Sequence, residues 1–99
     1  MNAVGKSSRR TEADFRLRVA HWAAVIRVKP RQVRLQPRRR KWASCSTRGT
    51  VSFNRDLLQR SRRFRDEMIV HELVHLRVPN HGRLFKRLVT AFLARSSYL

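Results

Sequence analysis

A single cysteine, Cys45, among 99 residues excludes an intramolecular disulfide framework, so a chain this small needs good packing or a metal to hold it together. Acidic residues are scarce too. Six Asp plus Glu stand against 24 Lys plus Arg, a net charge of +18 with histidine neutral, and 20 of those cations are arginine. Arginine binds phosphate bidentately, which brings DNA, RNA or another polyanion into consideration as a partner. Long apolar runs are missing: Ala23 to Ile26 falls far short of the roughly 20 residues of a membrane span. Nor does an apolar stretch follow Lys6, Arg9 and Arg10 to make a secretory signal. A soluble, cytoplasmic protein is expected, with no membrane role. The 41 % hydrophobic content is near the globular norm and argues against a disordered basic tail. One small domain fits this length.

Periodicity then gives an element order. Phe15, Val19, Trp22 and Ile26 recur at helical spacing within Glu12 to Val28, with Thr11 as N-cap and Pro30 as the stop. Alternating patterns around Val33 and Leu35, Trp42 to Cys45, and Val51 to Asn54 predict three short strands. Ser46 to Gly49 reads as a hairpin turn with Gly49 free to take positive φ. From an N-cap at Ser61, Phe64, Met68, Ile69, Leu73 and Leu76 mark a second helix, ended by Pro79. A third runs from about Asn80 to Ala94 with Leu84, Phe85, Leu88 and Phe92 inward. The fold class is α+β: helix, three short strands, helix, helix. Residues 1–11 are expected as a flexible basic N-terminus, 12–95 as the single domain and 96–99 as a tail. Arginine-dense stretches, Pro37 to Lys41 and Arg60 to Arg65, fall between elements.

His71-Glu72-Leu73-Val74-His75 places two imidazoles on one face of the second helix, since positions i and i+4 share a face. Glu72 lies about 100° round from His71, where a carboxylate reaches a water on the metal without ligating. A catalytic zinc takes three protein ligands and keeps a fourth position open. His81, beyond Pro79, can return to supply the third, and Gly82 would ease that turn. Such a site suits zinc, lowers the pKa of a coordinated water to about 7, and lets Glu72 carry the proton to a leaving amine. Amide hydrolysis is the chemistry these residue types permit. For oxyanion stabilisation Tyr98, His21 and several arginines remain open.

The motifs together resemble the YgjP-like zinc metallopeptidases: Arg40-Lys41-Trp42-Ala43-Ser44-Cys45-Ser46, Gly49, Val51 to Asn54, His71-Glu72-Leu73-Val74-His75, and Asn80-His81 with Phe85. These are small zincins, similar in their core to SprT-like and Wss-type proteases. The resemblance covers about Phe15 to Phe92. It implies a minimal zincin-like fold with a small three-stranded mixed sheet, an HExxH active-site helix and a C-terminal helix. It implies one Zn²⁺ per chain held by His71, His75 and His81, with Glu72 as general base. It also implies that Trp42 to Ser46 form an antiparallel edge strand where Trp42, Ala43, Ser44 and Cys45 meet a peptide or protein substrate. Two positions depart from the family pattern: Ala43 stands where glycine is usual, and Lys86 follows Phe85 where an aromatic is usual. Members are usually longer chains.

Two functions follow as expectations. One is a zinc-dependent endopeptidase. The other is a basic nucleic-acid-binding module with a structural or vestigial metal site, contacting DNA or RNA through Arg38, Arg39, Arg40, Lys41, Arg62 and Arg63. A combination, a protease concentrated on nucleic-acid-bound proteins, joins them. Cys45 reads either as a small buried hydrophobe or as a metal-directed thiol.

Overall fold

The computed structural model describes residues 11–37 and 40–96. Arg38, Arg39, Tyr98 and the basic N-terminus before Thr11 lie outside the described residues.

Thr11 accepts the Asp14 N–H on its hydroxyl at 3.1 Å and opens helix α1, Glu12–Ile26. Phe15, Val19, Trp22, Ala23 and Ile26 form its buried stripe. The helix stops two residues before the expected end because Arg27 turns left-handed, at φ 64° and ψ 51°. Its N–H and that of Val28 both donate to the Ala23 carbonyl and so close the last turn.

Strands β1 (Gln32–Gln36), β2 (Ala43–Cys45) and β3 (Thr50–Asn54) form a sheet in the order β1-β3-β2. β1 and β3 are parallel; β2 and β3 are antiparallel, so the sheet is mixed and β2 is an edge, as expected. The β2–β3 turn closes through Ser46. Its N–H donates to the Thr50 carbonyl at 2.9 Å, and its hydroxyl accepts from the N–H groups of Arg48 and Thr50. Gly49 adopts φ 92°, and a Cβ there would lie 3.3 Å from that of Arg31.

Directly opposed residues share a face of a sheet. Ala43 faces Phe53 and Cys45 faces Val51, while Val33 and Leu35 face Val51 and Phe53 across the parallel pair. That face packs on the helices, with Val51 and Phe53 fully buried. After β3, Asn54 accepts the Asp56 N–H on its side chain and starts a 3-10 helix, Arg55–Gln59, which the sequence pattern did not predict.

Helix α2, Arg62–His75, is capped by Ser61, whose hydroxyl accepts the Phe64 N–H at 3.1 Å. Ile69, Val70, Leu73 and Val74 are fully buried. One polar cluster ties α2 to α1. Arg18 donates to both carboxylate oxygens of buried Asp66 at 2.9 Å, and the Trp22 indole N–H adds a third bond at 3.0 Å. Helix α3, Arg83–Ser96, follows. Leu84, expected inward, is 60 % exposed. Phe85, Leu88, Val89 and Phe92 form the packed stripe, and one residue of helix rotates Leu84 about 100° off it.

Candidate functional site

His71 and His75 emerge together from the last turn of α2. The helix closes with the Arg77 and Val78 N–H groups donating to the Val74 carbonyl, and the chain turns at 76–77 and bends at Asn80 and Gly82. His81 returns so that its Nε2 lies 3.2 Å from that of His71 and 2.7 Å from that of His75. Gly82 keeps ordinary φ, and nothing crowds the position of a Cβ there, so this turn does not depend on glycine. The three candidate ligand atoms lie within 4.8 Å of one another and could hold a metal ion. Nitrogens bound tetrahedrally at about 2.0–2.1 Å stand roughly 3.3 Å apart. The His71–His81 separation matches that span, and the His75–His81 separation is shorter.

Phe85 of α3 fixes the rings. Its centroid lies 4.9 Å from His71, 4.5 Å from His75 and 4.8 Å from His81, and its side chain is buried. Sequence reasoning placed Phe85 on the inward face of the last helix and missed that it touches all three imidazoles. Burial, then the neighbouring His75 and His81, lowers the His71 pKa. Burial, then His81, lowers that of His75, against the Pro79 and Val78 carbonyls that accept from its ring. Both rings are neutral at pH 7, with lone pairs available for coordination.

Glu72 is 7 % exposed and lines the same cleft as the histidines. The cleft, about 930 Å³, is lined by Ala43, Ser44 and Cys45 of the edge strand and by residues 27–29, 46–49, 76, 77 and 79. Asn54 sets the entry to that strand. Its backbone N–H donates to the Trp42 carbonyl at 2.8 Å and its side-chain amide to the Lys41 carbonyl at 3.1 Å.

The edge strand has a definite polarity of hydrogen bonding. Bonds from Asn54 to Trp42 and from Ser46 to Thr50 show that residues 42 and 46 turn their backbone groups toward β3. In an antiparallel ladder the alternate residues point the other way, so Ala43 and Cys45 present N–H and C=O groups to the free edge.

The structure separates Trp42 from the other strand residues: it does not line the cleft but packs edge-on against Phe64, centroids 5.2 Å apart. Cys45 is half-buried against the core, and burial, then the Glu72 charge, raises its pKa, so the thiol is protonated at neutral pH. His21 is exposed beside Trp22 and away from the cleft. The Arg60 guanidinium stacks over Trp42 and Phe64, at 5.1 and 4.5 Å from the ring centroids. Arg40, Lys41, Arg62 and Arg63 are exposed around that stack, and Arg63 pairs with Glu67 at 3.5 Å.

Among solved structures, the chain is similar to the metallopeptidase zymogen of Methanocaldococcus jannaschii jannalysin, with a TM-score of 0.71 and 20 % identity over 79 % of this chain and 80 % of that one. It is also similar to the metallopeptidase zymogen of Pyrococcus abyssi abylysin, with a TM-score of 0.68 and 23 % identity over 76 % of this chain and 75 % of that one. At these identities the likeness shows the fold. Comparison with curated proteins gives no match. Among the described residues no helix is long and apolar enough to cross a membrane. Residues 6–96 match the family described as YgjP-like, metallopeptidase domain, and the chain belongs to that family.

Proposed function

We propose that this chain is a zinc-dependent endopeptidase in which His71, His75 and His81 hold one Zn²⁺ and Glu72 is the general base. One observation carries the reading: three imidazole nitrogens converge at ligand spacing in a cleft that also contains the buried carboxylate of Glu72. Zinc bound there supplies Lewis acidity, polarising a carbonyl and acidifying a water.

The remaining work falls to the chain's own side chains. Glu72 takes a proton from the attacking water and delivers it to the leaving amine, within a helix whose burial fixes its position. Ala43 and Cys45 accept an extended peptide by strand addition through their free backbone groups. Phe85 holds the imidazoles in place and excludes water from behind them. Three histidines also favour catalysis over a purely structural role, because structural zinc sites are closed by four ligands and are often rich in cysteine.

The testing experiment is native mass spectrometry of the purified chain beside His81→Ala. One zinc per parent chain is expected. Zinc binding of about 10–16 kcal/mol shared over four ligands gives roughly 3 kcal/mol per ligand, so the variant should bind zinc at least about a hundredfold more weakly. A folded parent without zinc, or a variant with undiminished affinity, overturns the assignment.

A further inference from the structure

The cleft around the histidines is asymmetric in charge. Arg27, Lys29, Lys41, Arg48 and Arg77 line it, all of them exposed, and Glu72 is the one carboxylate among the lining residues. The ion pairs of the described residues lie elsewhere: Glu12 with Arg16 and Arg55, Asp66 with Arg18, Glu67 with Arg63. None of the five cleft cations takes part in them.

Local contacts gather four of these cations at one end. The Arg77 guanidinium donates to the Ile26 carbonyl at 3.1 Å, which sets it beside Arg27 and Lys29. The Arg31 N–H donates to the Gly49 carbonyl at 2.8 Å, which draws that same loop against the turn carrying Arg48. Lys41 sits at the other end of β2, beside Asn54. Between them run Ala43 to Cys45, whose antiparallel register with β3 puts Ala43 toward the Asn54 end and Cys45 toward the Thr50 end.

From this arrangement we infer that the cleft selects extended peptides whose acidic side chains fall on one side of the scissile bond, where they meet Arg27, Lys29, Arg48 and Arg77. The inference rests on the peptidase reading. A peptide is the occupant, rather than nucleic acid, because the cations flank a strand edge whose free N–H and C=O groups match an extended peptide backbone. A pairing register along β2 necessarily places one flank of the substrate at the four-cation end and the other near Lys41 alone. Cations without carboxylate partners lose no existing ion pair when an Asp or Glu arrives, and a cleft wall screens them less than open surface does.

The test separates binding from cleavage. Zinc-loaded Glu72→Gln protein is titrated with fluorescent octapeptides carrying two Asp on one flank, two Asp on the other, or Asn throughout. Parent protein is assayed on the same peptides for kcat/KM. One acidic flank should bind about tenfold more tightly than the Asn peptide at 50 mM salt, and the advantage should shrink to about threefold at 300 mM as screening sets in. Lys29→Glu with Arg48→Glu should abolish the preference in binding, and in kcat/KM where cleavage is measured, while Lys41→Glu leaves the flank ordering intact. Equal binding of all three peptides, or an equal gain from either flank, overturns the inference even if all are cleaved. An acidic-flank preference in binding with no cleavage by the parent sustains the cleft's selectivity and defeats the peptidase reading instead. A single-stranded oligonucleotide of matched charge that displaces the peptide, binds more tightly and loses affinity in the same double variant overturns the peptide assignment.

Discussion

Glu72→Gln is expected to retain one zinc per chain and to lose peptide hydrolysis by about 10² to 10⁴-fold, the range that a positioned general base contributes. The substitution keeps the size and shape of a side chain that is 7 % exposed. It removes the negative charge and with it the capacity to accept a proton. The three imidazoles are held independently, by α2, by the 76–82 turn and by the Phe85 ring, so metal content should be indifferent to the change. The check is paired: zinc stoichiometry by native mass spectrometry and kcat on a quenched fluorogenic peptide. Turnover within about threefold of the parent would remove Glu72 from the mechanism, and zinc loss would mean the carboxylate supports the ligands rather than the reaction.

The second large effect concerns the scaffold. Asp66→Ala should destabilise the fold by about 3–5 kcal/mol, because it strips a partly buried Arg18 guanidinium of both its acceptors and leaves the Trp22 indole N–H unpaired in the core. Against a total stability of about 5–15 kcal/mol for a domain of this size, that loss can unfold a large fraction of the chain. Asp66→Asn keeps an acceptor for Trp22 and gives up the charge, so it should fall between parent and Ala. Urea melts followed by circular dichroism measure the order. A loss under about 1 kcal/mol for Asp66→Ala would show that the Arg18 pair contributes no more than an exposed salt bridge does.

What the sequence disclosed and what it withheld follow from the range of each interaction. The caps at Thr11 and Ser61 are local, since a hydroxyl reaches an N–H three residues on, and both appear in the structure. The shared face of His71 and His75 is a property of helix geometry, and the six-residue step to His81 is short enough for the chain to turn back once Pro79 bars the helix from continuing. The β2–β3 hairpin was marked by Gly49. By contrast, Arg18 and Asp66 are 48 positions apart and only the packing of α1 on α2 brings them together. Phe85 looked like any inward residue of an amphipathic helix, because periodicity gives the face and not the partner. The 3-10 helix at Arg55–Gln59 is too short to show a period, and the earlier end of α1 depends on one left-handed residue, Arg27, of a type that does not advertise that conformation. Where the cations gather was equally hidden: their number is a matter of composition, but their concentration at one end of β2 comes from the Arg77 guanidinium on the Ile26 carbonyl and the Arg31 N–H on the Gly49 carbonyl.

The open side of β2 has a bearing on self-association. An unpaired strand edge is ordinarily a template on which a second copy of the same chain can dock and begin to aggregate. Here the edge is three residues long, with Arg40 and Lys41 before it and Arg48 after it. Two such edges brought side by side would set cation against cation at both ends. The bordering charge therefore disfavours pairing with a copy of itself, and under the proposed peptide docking it favours a strand of opposite sign.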